Sequence, residues 1–511
     1  MWPRLTLGRR ALAVTPSGAS PAAPAVRPAF TRIAAGGFGD GWNSYPHSME
    51  WFKGALYVGT TRANLCSIKA ARPPGFVFWP IRCPDDLYQI DRRAEIWRFA
   101  PDEGRWERVY QSPWVDAAGG VPREFGYRGM RAFRGASDAK EALYVLTWSP
   151  SKSGMPSIML RSTDGREFLP VAPHEEDATV TTYRALCEFK GRLFTAPAGR
   201  TAGWEGSRHR GISDCTVGNA VVLQNEDPLR DPWSLANIPS FGDPANLAVF
   251  DLHVFNDHLY AGTVSARGFQ LWKTDGAGVP PYKWTRVLTD GAFRGPLNQG
   301  IATLCAHGGY LYVGTGIQSG GYDPSFNIGP AAAEILRVSP DDSFEIVVGS
   351  PRKTPDGTKG PISRYGPGFD NFFAGYFWNS VSHDGWLYVG SYDWSVFMPF
   401  LPLDKWPPEV RRGSPYVALE EVAASRAGCE LWRTRDGVAW EPLTRDGFGN
   451  EYNYGIRRLT STPSGLFVGT ANPFGPEVAY LDADGRWDYR PNPRGGLEVW
   501  WLPRDREDVR A

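Results

Sequence analysis

A short strand pair recurs along the whole chain, and it constrains the fold more than any other feature. The run WFKGALYVGT (51–60) returns as FRGASDAKEALYVLT (133–147), FKGRLFTAP (189–197), FNDHLYAGT (255–263), HGGYLYVGT (307–315), HDGWLYVGS (383–391) and PSGLFVGT (463–470). Each copy has a Gly or Asp turn followed by alternating β-branched and aromatic residues, which predicts a β-hairpin. The seven copies predict a repeat fold made of β-strands.

A second predicted hairpin follows each copy after a variable loop. Its first strand reads AEIWRF (94–99), IMLRS (158–162), FQLWKT (269–274), AEILRV (333–338), CELWRT (429–434) and LEVWWL (497–502), with VVLQ (221–224) as a weaker version. A fourth strand that opens on an aromatic residue comes next, as in WERVY. Four strands per repeat, with no sustained helical period, indicate an all-β, seven-bladed β-propeller.

The last repeat lacks its fourth strand. After LEVWWL only the charged segment PRDREDVRA follows, whereas FTRIAAGGFGD (30–40) near the N-terminus matches WEPLTRDGFGN (440–450). We therefore expect the N-terminal strand to pair with the last blade, which removes an open sheet edge. The predicted domains are a disordered Ala/Pro-rich tail at 1–28, the propeller at 29–503 and a charged tail at 504–511.

Composition excludes several classes of partner. The 511 residues are 42% apolar, and 55 Lys plus Arg balance 55 Asp plus Glu. A balanced surface does not favour nucleic acid. No apolar run approaches the ~18 residues of a membrane-spanning helix, so neither nucleic acid nor a membrane span is expected.

The N-terminal segment and the cysteines bear on location. An Arg pair at Arg9 and Arg10 precedes only a short apolar run, and a secretory signal needs about 7 to 15 apolar residues. The six cysteines show no CxxC spacing and do not require disulfides. These features predict a cytoplasmic protein, with export through the Arg pair left open.

The turns between third and fourth strands have a repeated polar pattern. They read STDG (162–165), TDG (274–276) and TRDG (434–437), and an aromatic residue follows at Phe168 and Trp440. They resemble degenerate Asp-box turns of sialidase-type propellers, in which a carboxylate closes the hairpin. The arginine triad and tyrosine nucleophile of sialidases are missing here, so the resemblance implies structural turns without sialidase chemistry.

The candidate site lies in the loops before the innermost strands. Those loops are rich in Asn, Tyr, Arg and Gly, as in GFGDGWNSYPHSM (37–49), EFGYRGM (124–130), GFDNFFAGYFWNS (368–380) and GFGNEYNYGIRRL (447–459). Alignment of the repeats places equivalent residues near the start of each inner strand: His47, Arg128, Arg184, Phe250, Ala302, Trp378 and Arg457. One position later come Asp251 and Asn379, and tyrosines including Tyr454 lie beside them.

These residues suggest a site at one mouth of the propeller channel. Arg128, Arg184 and Arg457 would bind a carboxylate, a phosphate or a polarised leaving group, because guanidinium groups bind such anions in two-point geometry. Trp378 and Asn379 would complete the binding surface, and His47, Asp251 or Tyr454 would act as acid or base. The alternative is that the arginines only tie neighbouring blades together through backbone carbonyls.

No motif indicates a metal or a cofactor. The seven histidines form neither HExxH nor HxH, and the chain has no P-loop, GxSxG or dinucleotide fingerprint. Four loops between second and third strands are long, at 61–93, 200–219, 316–332 and 392–428. The last contains DWSVFMPFLPLDKWPP, an apolar segment that should cap the channel mouth, pack on a neighbouring blade or bind a protein partner.

The strings LYVGT and ELWRT-x-DG, with GFGN-x-x-NYG, resemble a bacterial group of β-propeller repeat proteins. This resemblance covers nearly the whole chain and implies the fold without implying an activity. The repeats are more distantly similar to the propeller of the cyanobacterial alkylating enzymes that form cylindrocyclophanes. Those enzymes also carry calcium-binding nonapeptide repeats, which this sequence lacks.

Two hypotheses about function follow. In the first, the chain is a cofactor-independent enzyme, of transferase or lyase type, that acts on a small, partly apolar organic substrate in specialised metabolism. In the second, it is a non-catalytic propeller that binds glycans or proteins through the 392–428 loop. An enzyme should enclose the Arg, His and Asp side chains in a deep pocket, whereas a binding module should display its loop aromatics on a flat surface.

Overall fold

The computed structural model describes residues 28–71, 75–171, 180–200, 220–402 and 427–504. Over these residues the chain consists mainly of antiparallel β-strands, which confirms the all-β class. The predicted tails at 1–28 and 504–511 lie outside the described residues, except for positions 28 and 504. Positions 201–219 and 403–426, which belong to two of the long loops, also lie outside them.

The strands are numbered in chain order. Strands β1 to β11 are Thr31–Ala34, Asn43–Phe52, Ala55–Arg62, Glu95–Ala100, Arg105–Gln111, Trp114–Asp116, Val121–Pro122, Gly126–Phe133, Ala142–Trp148, Met159–Ser162 and Leu169–Val171. Strands β12 to β23 are Val180–Phe189, Arg192–Arg200, Leu223–Asn225, Ser234–Leu235, Asn246–Phe255, His258–Ser265, Leu271–Thr274, Thr285–Leu288, Gly300–His307, Tyr310–Gly316, Ile335–Val338 and Phe344–Val348. Strands β24 to β34 are Arg352–Thr354, Gly357–Lys359, Ala374–His383, Trp386–Asp393, Leu431–Thr434, Glu441–Thr444, Gly455–Thr462, Gly465–Ala471, Glu477–Leu481, Trp487–Pro491 and Glu498–Pro503.

Helical segments are short in the described ranges. Helix α1 is Asn64–Ala71, and four-residue helical turns lie at Asp290–Phe293 and Gln318–Gly321. Turns of 3-10 type lie at Gly36–Gly39, Leu87–Gln89, Ser151–Ser153, Pro239–Gly242, Gly295–Asn298, Pro367–Phe369 and Ser395–Phe400.

Antiparallel pairing joins most of the described strands into groups of four, in which each strand pairs with its neighbours in the group, and the other strands form the separate pairs β6 with β7, β24 with β25 and β32 with β33. Groups 1, 2 and 3 hold β2 to β5, β8 to β11 and β12 to β15. Groups 4, 5 and 6 hold β16 to β19, β20 to β23 and β26 to β29. Group 7 holds β30, β31, β34 and β1, whose pairing runs in that order.

The recurring Gly-Thr pair of the second strand has two structural roles. The threonine hydroxyl accepts a hydrogen bond from the first backbone N–H of the third strand, for example Thr60 from Glu95 at 3.0 Å and Thr470 from Glu498 at 3.2 Å. The glycine lets the next group approach, because a Cβ on Gly390 would lie 2.3 Å from the Cβ of Ile456. The core lies between adjacent groups; groups 4 and 5, for instance, share a cluster that includes Leu271 and Leu336.

Asparagines of the loops before the inner strands serve the fold. The side chain of Asn43 donates to Glu95 at 2.8 Å, and that of Asn453 donates to Glu498 at 2.7 Å. Both glutamates are buried at the start of a third strand, where Trp97 and Trp500 also donate to them. The Asn-rich part of these loops is therefore a structural network, and only the residues that follow it reach the candidate site.

The Asp-box-like turns close their hairpins as the sequence indicates. One carboxylate oxygen of Asp164 accepts from the backbone N–H groups of Arg166 and Glu167, and Asp436 makes the equivalent pair of bonds. Phe168 and Trp440 are buried beside these turns. The turns are thus stabilised locally and do not belong to the candidate site.

The N-terminal strand pairs with the last strand of the chain. Thr31 and Arg32 of β1 lie opposite Trp501 and Trp500 of β34, and the guanidinium of Arg32 donates to Glu498 at 3.2 Å. Group 7 therefore draws its outermost strand from the opposite end of the chain.

Candidate functional site

Each inner strand departs from regular pairing at the position that the repeat alignment identified. In group 1, Pro46 lies opposite Thr60 and Ser48 lies opposite Gly59, so His47 is the extra residue of a β-bulge. The equivalent extra residues are Arg128, Phe250, Ala302, Trp378 and Arg457, and Arg184 lies within a longer irregular stretch of its strand. The bulge lets two consecutive side chains of a strand face the same space.

Residues from the inner strands of groups 1 to 7 line one cavity of about 1030 Å³. All eight predicted site residues line it: His47, Arg128, Arg184, Asp251, Trp378, Asn379, Tyr454 and Arg457. The repeat alignment therefore identified residues that lie around one cavity although they are more than 400 positions apart in the chain, as His47 and Arg457 are.

Arg128, Arg184 and Arg457 line the cavity close to one another, and we call them the arginine layer. Arg128 stacks on the ring of Trp148 at 4.5 Å, Arg184 on Phe250 at 3.4 Å and Arg457 on Trp378 at 5.1 Å. Arg457 is 8% exposed, and its Nε is buried without a hydrogen-bond partner. Burial, followed by the charges of three other arginines, holds the pKa of Arg457 well below its usual value. Burial and the neighbouring arginines therefore disfavour the positive charge of Arg457, and a bound anion would stabilise that charge.

Arg458 is a cavity residue that the sequence reasoning missed. Its guanidinium donates to the backbone carbonyls of His47 at 2.9 Å and Arg128 at 3.2 Å, so it links group 7 to groups 1 and 2. The adjacent arginines at 457 and 458 were the sequence signal for this residue, because a bulge points two consecutive side chains inward. The alternative role predicted for the arginines, that of tying neighbouring strand groups, thus applies to Arg458.

Asp251 and Asn379 occupy the position after the bulge and contact the next strand group. Asp251 accepts from the backbone N–H of Leu304 at 2.7 Å, and Asn379 accepts from that of Leu459 at 2.6 Å. Burial raises the pKa of Asp251 to about 6. The hydrogen bond from the backbone N–H of Leu304 and the charge of Arg458 oppose this rise. Both side chains face the cavity while they hold adjacent groups together.

His47 orients the arginine layer. Its Nε2 accepts a hydrogen bond from Nε of Arg128 at 3.2 Å, and its Nδ1 contacts the hydroxyl of Thr61. Because a guanidinium only donates, the ring proton lies on Nδ1. Burial, then the charges of Arg457 and Arg128, holds the pKa of His47 well below its usual value. His47 is therefore neutral, and its Nε2 lone pair already accepts the hydrogen bond from Arg128.

Tyr454 lies next to the arginine layer in a hydroxyl pair. Its OH is hydrogen-bonded to the OH of Tyr45, a residue that the sequence reasoning did not select. Burial raises the pKa of Tyr454 well above its usual value, so the phenol stays protonated near neutral pH. One hydroxyl of the pair donates to the other.

Two loop segments cover one end of the cavity; we call them the cap. The first contains α1 and residues 75–79, and a disulfide between Cys66 and Cys83 ties it together. The second is 394–402, the described part of the apolar loop segment. The two meet where the backbone N–H of Val77 donates to the carbonyl of Phe400 at 2.9 Å. The disulfide was not required by the cysteine spacing, because it depends on how the 61–93 loop folds back.

The described ranges contain neither a cluster of metal-ligating side chains nor a membrane-spanning helix. Among those residues, no three His, Cys, Asp or Glu side chains lie close enough together to hold a metal ion. In the same ranges no helix has the length and apolar character needed to cross a membrane.

The chain matches no family profile and no curated protein. Among solved structures it is similar to a catalytically inactive variant of virginiamycin B lyase from Staphylococcus aureus with quinupristin, at 8% identity and a TM-score of 0.43, over 90% of this chain and 96% of that one. It is also similar to an α-L-arabinanase from Penicillium chrysogenum complexed with arabinobiose, at 12% identity and a TM-score of 0.37, over 73% and 92% of the two chains. A third similarity is to the computationally designed protein Ika8, at 8% identity and a TM-score of 0.35, over 91% and 98%.

Proposed function

We propose that the strand groups are the seven blades of one closed β-propeller whose central cavity binds a small organic anion. Three contacts between the ends of the chain support closure. Strand β1 pairs with β34, Pro46 lies against Gly469, and Arg458 donates to the carbonyl of His47. Deletion of residues 1–35 should then expose the edge of β34 and lower the urea midpoint, whereas deletion of residues 1–27 should not. Equal stability of the two truncated chains would contradict closure.

We further propose that the chain is a cofactor-independent enzyme that acts on a small, partly apolar organic anion. The observation that carries this proposal is Arg457, a buried guanidinium with an unpartnered Nε that lines the cavity beside other cations. A bound carboxylate or phosphate would accept hydrogen bonds from it and offset the like charges. Arg128 and Arg184 would add further positive charge at the same level of the cavity.

Proton transfer would come from the residues beside the arginine layer. The phenol of Tyr454, hydrogen-bonded to the hydroxyl of Tyr45, stays protonated and would act as the acid. Asp251, with its pKa of about 6, would be an available base just above that pH. His47 would position Arg128 and would not act as a base, because its Nε2 lone pair already accepts the hydrogen bond from Arg128. These assignments limit the chemistry to positioning, electrostatic stabilisation and proton transfer.

The first experiment measures binding and turnover separately. Calorimetry with benzoate and phenyl phosphate should detect binding to the full chain, and Arg457→Gln should weaken both at least tenfold. Arg267→Gln is the matched control, because Arg267 is an exposed arginine paired with Asp243 outside the cavity. Tyr454→Phe should retain binding and lose turnover of any substrate found by mass spectrometry. Unchanged binding in Arg457→Gln would contradict the proposed site.

The alternative function is a non-catalytic propeller that binds glycans or proteins through the 392–428 loop. It needs aromatic side chains on an open surface, but Trp394, Phe397 and Phe400 in the described part of this loop are buried. This observation favours the small-molecule site. Binding of an anion without turnover of any substrate would instead favour a non-catalytic role.

The disulfide also changes the cellular location that we propose for the protein. Disulfides persist in oxidising compartments, so the Cys66 to Cys83 bond favours export over the cytoplasmic location predicted from sequence. Thiol titration of the protein purified from its native host would distinguish the two.

A further inference from the structure

The cavity has two chemically different ends. The arginine layer lies at one end, and aromatic rings from the strand groups and the cap lie at the other. Trp378 contacts both, because the guanidinium of Arg457 stacks on its ring and the rings of Tyr392 and Tyr454 meet it edge to face. We call the second end the aromatic chamber, lined by Tyr45, Phe76, Trp79, Tyr392, Phe397 and Tyr454. Phe76 and Trp79 come from the first cap segment and Phe397 from the second, so the chamber exists only because the cap folds over the cavity.

Ring contacts run without a break from the cap to Arg457. Phe76 stacks on Phe397 with centroids 5.7 Å apart, and Phe397 meets Tyr454 edge to face at 5.8 Å. Tyr454 lies 6.1 Å from Trp378, whose ring carries the guanidinium of Arg457 at 5.1 Å. An apolar group in the chamber is therefore one ring away from the cation.

The chamber suits a planar ring more than a flexible chain. Its rings meet in mixed geometry: Tyr392 and Tyr454 are edge to face at 4.9 Å, whereas Phe76 and Phe397 are stacked at 5.7 Å, so both faces and edges are presented to the cavity. Aromatic pairs in such geometry add attraction beyond the burial of area. The cavity volume of about 1030 Å³ lies near the upper end of the range typical for drug-sized ligands.

We infer that the ligand is an amphiphilic aryl anion, with its carboxylate or phosphate at Arg457 and its aromatic ring in the chamber beneath the cap. This inference rests on the proposed function, since it names the ligand class of the same site. It also gives the orientation: the head group contacts the arginine layer and the ring contacts Phe76 and Phe397. An anion without a ring would leave the aromatic chamber unoccupied.

A ladder of probes tests this inference in the unmodified protein by calorimetry. Acetate, benzoate and 2-naphthoate share one head group, and affinity should rise about tenfold for each added ring through burial of apolar area. The neutral probe 2-naphthamide should bind at least tenfold more weakly than 2-naphthoate. A parallel arm with 2-naphthyl phosphate shows which head group is preferred; tighter binding than inorganic phosphate is expected there too.

Two variants separate the ring from the head group. Phe76→Ala should weaken 2-naphthoate about tenfold and leave acetate unchanged, because Phe76 is half-buried and lines only the chamber. Phe293→Ala is the matched control, since Phe293 is also half-buried and stacks on Phe344 away from the cavity. Arg457→Gln should weaken every anion and abolish the difference between 2-naphthoate and 2-naphthamide.

The outcomes distinguish the inference from the proposal on which it rests. If acetate, benzoate and 2-naphthoate bind within twofold of one another while Arg457→Gln weakens all three, the anion site stands and the aryl inference is overturned. If no anion binds, or Arg457→Gln changes nothing, the proposed function itself fails. Because the probe ladder uses the unmodified chain, poor folding of Phe76→Ala would not obscure either result.

Discussion

Two adjacent arginines of the cavity should respond in opposite directions to the same substitution. Arg457 stacks on Trp378 and keeps an unpartnered, buried Nε, whereas Arg458 donates to the carbonyls of His47 and Arg128. Replacement by methionine retains most of the apolar stem and removes the charge. The pair therefore compares the arginine that we propose as the anion site with one that supports the fold.

The magnitudes follow from these contacts. Arg457→Met removes an unsatisfied buried donor, worth about 1–3 kcal/mol, and lowers the repulsion among the arginines, but it loses a cation–π contact of about 1 kcal/mol. We expect the free energy of unfolding to rise by about 1–2 kcal/mol. Arg458→Met leaves two buried carbonyls without a donor, at about 1–3 kcal/mol each, partly offset by the same relief of charge. We expect a loss of about 3 kcal/mol.

The assay is urea unfolding followed by tryptophan fluorescence at low ionic strength. Urea is preferable to guanidinium chloride because chloride is itself an anion that could bind Arg457 and mask the gain. Calorimetry with benzoate runs in parallel, and Arg457→Met should abolish binding while it stabilises the chain. If both variants lose the same stability, Arg457 is a strut like its neighbour and the argument for an anion site is refuted.

Three further predictions concern the fold around the site. Asp251 has its pKa raised from 3.8 to about 6, so stability should fall as pH rises through that window; Asp251→Asn should remove about 2 kcal/mol of this dependence in urea melts at pH 4.5 and 7.5. The double variant Cys66→Ser with Cys83→Ser opens a loop with a sequence separation of 17 and should cost about 3 kcal/mol, seen as faster amide exchange in the cap. Gly390→Ala places a Cβ 2.3 Å from that of Ile456 and should lower stability by about 3 kcal/mol in the same melts.

Each of these predictions has an outcome that would contradict it. Gly360→Ala is the match for the glycine variant, because a Cβ at Gly360 meets no atom within 4 Å; equal losses from the two would argue against contact between adjacent groups. For the disulfide, unchanged exchange in the cap after its removal would contradict a stapled cap. A wild-type and Asp251→Asn stability difference that is constant with pH would rule out the raised pKa.

Most of the fold was predictable because its determinants are local. The alternation of LYVGT marks a strand, and its glycine and threonine have the same neighbours in most groups, as Gly390 beneath Ile456 and Thr60 beside Glu95 illustrate. The positions aligned through the repeat all face one cavity, because identical strand geometry around a common centre places equivalent residues together. The number of blades and the closed ring remain proposals.

The roles of the site residues were less predictable. A regular strand alternates its side chains, so the sequence reasoning placed only Arg457 in the cavity, whereas the bulge brings in Arg458 as well. The same alignment made Asp251 a catalytic candidate, but its contact with Leu304 depends on how two strand groups meet. Each of these features depends on a partner that local periodicity does not specify.

The sequence by itself determined the all-β class, the hairpin repeat and the set of positions that meet at the centre, since each depends on patterns within a few residues. Only the tertiary structure decided that the Nε of Arg457 is buried without a hydrogen-bond partner, which nitrogen of His47 accepts, and that segments 75–79 and 394–402 together cover the cavity. Burial and hydrogen bonding are properties of surroundings assembled from distant parts of the chain. A guanidinium becomes a candidate anion site or a strut according to the atoms that the fold places around it.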